Sequence, residues 1–311
     1  MPVRLGPGLL LTLLVTAAIA GAAVGAQDQV VRDGRLFRTG IELTSITVTV
    51  RDAQGRLVTG LGREAFEVRE DGELQKVTQF TNERVPISLG VLLDTSDSMF
   101  GQRIKDARAA VERFLFELLD PGDEYFVMSF NHRARVLTRW TSTPDIIRHA
   151  LDGLRPTGGT AVYDAVVGSL PMFVTRSRQR AALLVISDGA DTASTATIRE
   201  VRSTLLRSDT FVYAIAIDSP EPQAINTRVN PTALREITDD SGGRTEVVQS
   251  SGDLVDATSR IADELNKQYL LGYTSAHGAD GQYHSIRVRV QGTDYKVRAR
   301  NGFVATPAPG R

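Results

Sequence analysis

Three near-continuous apolar runs, at residues 87–93, 181–186 and 211–217, constrain this chain more than any other feature. A strand that is apolar at every position is buried on both faces, as in a parallel sheet covered by helices. Segments of helical period alternate with these runs. Residues 104–119 carry apolar side chains at 104, 107, 111, 114, 115 and 118, a 3.6-residue repeat. Residues 125–130, 134–137 and 245–248 read as further strands. Residues 144–154, 161–173, 197–206, 231–238 and 253–267 read as helices, the second carrying Pro171 near its end. This alternation predicts an α/β fold over 85–267, with a doubly wound, mostly parallel, Rossmann-like sheet.

The two ends follow a different grammar. Ile46, Val48 and Val50 alternate with polar residues, as do Phe66 and Val68, and Asp71-Gly72 is a hairpin signal with 77–80 as the return strand. Ile286, Val288 and Val290 alternate in the same way near the other end, after a loop at 274–282. Each end has too few strands for a core of its own. Segments 40–84 and 268–304 are therefore expected to pair into one small β-sandwich-like domain, with the α/β domain inserted between them.

The first 26 residues carry one charge, Arg4, then an apolar stretch and a small-residue ending, Val24-Gly25-Ala26. That is the pattern of a secretory signal peptide, with an uncleaved N-terminal anchor as the alternative. A secreted or periplasmic location is expected, with no membrane span once residues 1–26 are removed. Residues 27–39 read as a polar leader and 305–311 as a tail.

Composition excludes several classes. Lys and Arg total 36 against 37 Asp and Glu, a net charge of −1, so no basic face is available to hold nucleic acid. The chain has no cysteine, which removes disulfides, thiol nucleophiles and thiolate-bound zinc. Of four histidines, His132 and His149 have no partner at zinc-ligand spacing. Trp140 reads as a packed loop residue.

Ligands of open α/β sheets bind beyond the carboxyl ends of the strands. After the first buried run comes Asp94-Thr95-Ser96-Asp97-Ser98, and after the second comes Ser187-Asp188-Gly189. Pro156-Thr157-Gly158-Gly159-Thr160 lies between them, just before a helix. These loops offer hydroxyl and carboxylate oxygens, the donors preferred by hard divalent cations. A competing account of 94–98 is purely structural: an Asx turn with a serine capping the helix that starts near Gln102. Asp97 and Asp191 add negative field near these loops, and Asp164 reads as a helix-start charge.

In order and spacing, DTSDS at 94–98, GGT at 158–160 and ISDG at 186–189 resemble the von Willebrand factor type A (VWFA) domain with a metal-ion-dependent adhesion site (MIDAS). The segments 64–72, 264–273 and 295–303 further resemble the bacterial VWFA-related domain proteins common in Acidobacteria. The resemblance implies a metal site in which Ser96, Ser98 and Thr160 offer hydroxyls, while Asp94 and Asp188 hold the ion directly or through water. The implied ion is Mg²⁺, with Mn²⁺ or Ca²⁺ as alternatives. A hydroxyl-rich shell leaves the cation electron-poor, so its open position favours an Asp or Glu carboxylate from a protein partner. The expected protein is thus a non-enzymatic, exported adhesion module. Two alternatives stay open: a Mg²⁺-dependent hydrolase using the same cation, and a structural module whose site is stabilising or vestigial.

Overall fold

The computed structural model describes residues 43–188, 190–218, 231–292 and 294–305. The signal segment, the leader and residues 306–311 lie outside the described residues.

The fully buried run after Pro86 forms β5 (Ile87–Asp94), the centre of a six-stranded sheet. Its strand order is β10 (Thr245–Val248), β9 (Phe211–Ile217), β8 (Arg180–Ser187), β5, β6 (Glu124–Phe130), β7 (Ala134–Thr141). All neighbours are parallel except β7, which runs antiparallel to β6 at one edge. Gly90 shows how tightly the centre is packed: a Cβ there would fall 2.3 Å from the Phe126 ring and 2.8 Å from Leu183.

Helices cover both faces. On one, α1 (Gln102–Arg113) and α6 (Ser251–Asn266) bury Ile104, Ala107, Val111, Leu254, Ile261 and Leu265 against the sheet. On the other, α3 (Val162–Ser169), α4 (Ile198–Leu205) and α5 (Pro231–Ser241) bury Val166, Val201, Leu205, Leu234 and Ile237. The short α2 (Pro144–Asp152) packs Ile147 and Leu151 into the first of these cores. Thr197 starts α4 with a reciprocal capping pair, its side chain accepting from Glu200 N while Glu200 accepts from Thr197 N. Among the described residues no helix is long and apolar enough to cross a membrane.

The remaining strands form two antiparallel four-stranded sheets. One has the order β13 (Lys296–Arg298), β1 (Leu43–Arg51), β11 (Tyr269–Thr274), β4 (Val77–Thr81). The other is β14 (Gly302–Val304), β12 (Tyr283–Val290), β2 (Phe66–Glu70), β3 (Glu73–Gln75). Both sheets mix strands from the two ends of the chain: Ile46 faces Leu271 across β1 and β11, and Val68 faces Val288 across β2 and β12. Their shared core includes Ile46, Val48, Phe66, Val68, Tyr269, Leu271 and Tyr273, with the Phe66 and Tyr269 rings 4.9 Å apart. The fold is therefore the expected α/β class with an additional β-sandwich built from both termini.

Local details differ from expectation. The Asp71-Gly72 turn, with φ of 50° and 88°, returns into β3 and not into β4. β4 crosses to the other sheet and pairs with β11. The helix expected over 161–173 tightens into 3₁₀ geometry at Leu170–Thr175, because Pro171 has no N–H to continue the α-helical ladder. Trp140 belongs to β7, not to a loop; it packs edge-on against Phe126 at 4.7 Å and donates its indole N–H to Met172 O.

Candidate functional site

The sheet order reverses at β5: the chain moves from β5 to β6 on one side, then crosses to β8 on the other. The carboxyl ends of β5 and β8 thus flank the crevice where open α/β sheets take ligands. Asp94 is the last residue of β5, and Asp188 follows the last residue of β8.

Backbone bonds stitch the loops together. Thr157 N donates to Thr95 O at 2.8 Å, Asp97 N to Gly158 O at 2.9 Å, and Thr192 N to Thr160 O at 2.8 Å. Gly158 has φ of 79°, a conformation that favours glycine, and a Cβ there would have to displace the exposed His132 ring, whose Nδ1 would lie 2.6 Å away.

Side chains of four of the five expected ligands form one connected group. Ser96 N donates to Asp94 Oδ1 at 2.8 Å, and Ser187 Oγ donates to Asp94 Oδ2 at 2.5 Å. The Ser96 and Ser98 hydroxyls are 3.0 Å apart, and Ser98 Oγ donates to Asp188 Oδ1 at 2.6 Å. Thr160 is buried in the adjoining loop, but among the described residues no hydrogen bond joins its hydroxyl to the other four.

This geometry separates two accounts of 94–98. The Asx turn exists, in the Ser96 N to Asp94 bond. The serine cap does not: α1 is preceded by Gly101, and no side chain caps it. The Ser96 and Ser98 hydroxyls face each other, and Ser98 reaches across to Asp188.

Electrostatics favour an added cation. Burial pushes the Asp94 carboxyl up to about 7, against the bonds from Ser187 and Ser96, and the nearby Asp188 charge adds to the rise. Burial also raises Asp188, opposed by Ser98 and Arg103. Two buried carboxyls and three hydroxyls, with no nitrogen or sulfur, fit a hard dication.

Arg103, which no sequence motif marked, donates from Nη1 to Asp188 Oδ2 at 3.0 Å and to Ser98 O at 2.9 Å. Its place one turn after the DTSDS loop was the available signal. Asp97 is exposed. Asp191 accepts from Tyr163 N at 3.0 Å and Ser194 Oγ at 2.6 Å, which ties its loop to the start of α3. Asp164 does more than sit at a helix start: it accepts from Ala196 N at 2.8 Å and Thr195 N at 3.0 Å, clamping the loop after β8. A second cluster, Glu70 with His277 and His284, lies on the β-sandwich. It was not visible in sequence because its members are joined only through strand pairing.

The sequence profile described as the von Willebrand factor type A domain matches residues 89–190. The similarity to the type A domain therefore lies in residues 89–190, about a third of the chain. Among solved structures, a von Willebrand factor type A protein from Catenulispora acidiphila is 11% identical, with a TM-score of 0.51 over 86% of this chain and 74% of that one. The conserved hypothetical protein BatB from Bacteroides thetaiotaomicron is 21% identical over 58% of this chain and 98% of that one, with a TM-score of 0.49. The vWF domain of the type V pili tip protein Mfa5 from Porphyromonas gingivalis is 14% identical over 59% and 96%, with a TM-score of 0.45. At 11% identity, the likeness to the Catenulispora acidiphila protein is one of fold. No curated protein matches the chain.

Proposed function

We propose that this is an exported, non-catalytic protein-binding module. In this reading Asp94, Ser96, Ser98, Thr160 and Asp188 hold Mg²⁺, or Mn²⁺ or Ca²⁺ in its place, and a partner's Asp or Glu carboxylate completes the shell. Residues 85–267 form the binding domain, and 40–84 with 268–304 form its β companion. The signal segment at 1–26 sends the chain out of the cytoplasm. The observation that carries the reading is the pair of facing serine hydroxyls, with that of Ser98 donating to Asp188 and neither capping α1. Phe100, 77% exposed and two residues beyond Ser98, supports a protein partner, because it offers an apolar contact beside the charged one.

The test is calorimetric titration of residues 27–311 with Mg²⁺, Mn²⁺ and Ca²⁺, followed by capture from the native envelope fraction with and without chelator. One cation should bind, and Asp94→Ala should abolish both that binding and the chelator-sensitive capture. Mg²⁺ binding that survives Asp94→Ala would overturn the reading. Turnover of a model ester or phosphate that requires Mg²⁺ and Asp188 would replace it with the hydrolase.

Arg103 offers a finer check. Its guanidinium supplies positive charge at Asp188 when no ion does, so it competes with the dication. Arg103→Gln is expected to tighten Mg²⁺ binding on the order of tenfold, from the loss of one nearby positive charge in a partly screened site. Weaker Mg²⁺ binding in this variant would mean that Arg103 supports the site and does not rival it.

A further inference from the structure

The β-sandwich holds a cluster of groups that has no evident purpose as it stands. Glu70 ends β2, next to the tight turn at Asp71 and Gly72. His277 and Asp280 lie in the loop between β11 and β12, and His284 lies within β12, where Ile286 pairs with Glu70. One nitrogen of each histidine and one Glu70 oxygen all lie within 4.8 Å of one another. The two imidazoles are stacked, with centroids 4.1 Å apart and planes inclined by 19°.

The details ask for a cation. Glu70 is 1% exposed; its Oε1 accepts from Ser275 Oγ at 2.7 Å, but Oε2 is enclosed without a hydrogen-bond partner. His284, 4% exposed, sits between two acids: Nδ1 is 2.7 Å from Asp71 Oδ2, and Nε2 is 3.2 Å from both Asp280 oxygens. His277 Nε2 is 3.7 Å from Asp71 Oδ2. A dication bound among these ring nitrogens and carboxylates would give the enclosed Glu70 oxygen a partner.

We propose that Glu70, His277 and His284 form a second metal site, which takes a Zn²⁺-class cation. Imidazole and carboxylate donors suit zinc and its neighbours better than Mg²⁺ or Ca²⁺. Of Asp71 and Asp280, one joins the metal and the other orients the His284 ring through its remaining nitrogen, an arrangement common around bound zinc. The ion would fasten the β11–β12 loop to the β2–β3 turn and so tie the carboxyl-terminal part of the chain to the amino-terminal part. In a chain without cysteine, that is a task a disulfide cannot perform.

The site does not depend on the Mg²⁺ reading, and the experiment keeps the two apart. Metal-free residues 27–311 carrying Asp94→Ala are titrated with Zn²⁺ by calorimetry and thermal unfolding, and with Co²⁺ by visible absorption. One equivalent of Zn²⁺ should bind, raise the unfolding midpoint and resist competition by excess Mg²⁺. Co²⁺ should show the visible bands of a nitrogen- and oxygen-ligated site. His277 is exposed, so adding His277→Ala should leave the metal-free midpoint within a degree or two and weaken Zn²⁺ binding at least a hundredfold. Failure to bind Zn²⁺, or binding unaltered by His277→Ala, would overturn the proposal. In the first case the cluster is only a protonated His284 held between Asp71 and Asp280.

Discussion

Asp94→Asn should make the metal-free protein more stable at pH 8 and, at the same time, deaf to Mg²⁺. Burial holds the Asp94 carboxyl near 7, well above its value of 3.8 in an unfolded chain. Between those values the folded state carries the extra proton, so stability falls as pH rises through that window and stays low above it. The neutral asparagine escapes this loss. The gain at pH 8 is on the order of 2–4 kcal/mol, since each tenfold change in proton affinity corresponds to about 1.4 kcal/mol. It should shrink toward zero near pH 4, where the native acid is itself protonated. Mg²⁺ at a hundred times its Kd adds about 2.7 kcal/mol to a protein that binds it and nothing to one that does not. Thermal melts of both proteins at pH 5 and pH 8, with and without Mg²⁺, would therefore cross. Parallel curves that respond equally to Mg²⁺ would remove Asp94 from the cation site.

Glu264→Ala is expected to produce the largest loss of stability. This α6 residue is buried where the α/β domain meets the sandwich. It accepts from Arg298, from Arg51 Nη2 at 2.8 Å, from Tyr213 at 2.9 Å and from Thr49 at 3.3 Å, and Arg244 Nε approaches to 3.4 Å. Those groups come from β13, β1, β9 and the segment before β10, so one carboxylate fastens both domains. Removing it leaves three arginines around an empty place, and breaking such a buried pair costs about 3–5 kcal/mol. The melting midpoint should fall on the order of 10 °C. Burial is the largest single influence and opposes its charge, but the Arg298 and Arg244 charges together with the hydrogen bonds from Arg51 and Tyr213 outweigh it and hold the carboxyl below the usual glutamate range. Its contribution is therefore full above the unfolded value of 4.5 and is lost as pH falls below it. Urea unfolding should show a wide gap between native and variant at pH 7 and a narrower one at pH 3.5. A gap independent of pH would mean that shape, not charge, holds the junction.

The resemblance segment at 264–273 takes on a physical meaning here. It starts at Glu264 and includes Gln268, which donates to Thr49 Oγ1 at 3.1 Å and Tyr213 OH at 2.9 Å and accepts from Arg180. In sequence it reads as the end of a helix running into a strand. Nothing local marks Glu264 as buried, because its arginine partners at 51, 244 and 298 are far away along the chain.

What was legible followed from short-range periodicity. A short, nearly continuous apolar run bounded by turn residues fits a strand covered on both faces, and a 3.6-residue repeat fits a helix buried on one side. Those two patterns determined the α/β core, and the loops at 94–98, 156–160 and 187–189 then had to sit near the carboxyl end of the sheet. Tertiary structure alone decided what pairing at long range brings together. It sent β4 into the opposite sheet, placed Trp140 against Phe126 and Phe173, set Arg103 on Asp188, and stacked His277 on His284 beside Glu70. The reason is that a residue's own neighbours in sequence set its backbone preference and which face it shows. The partners it meets on that face are chosen by strand register and sheet order, which depend on the whole chain at once.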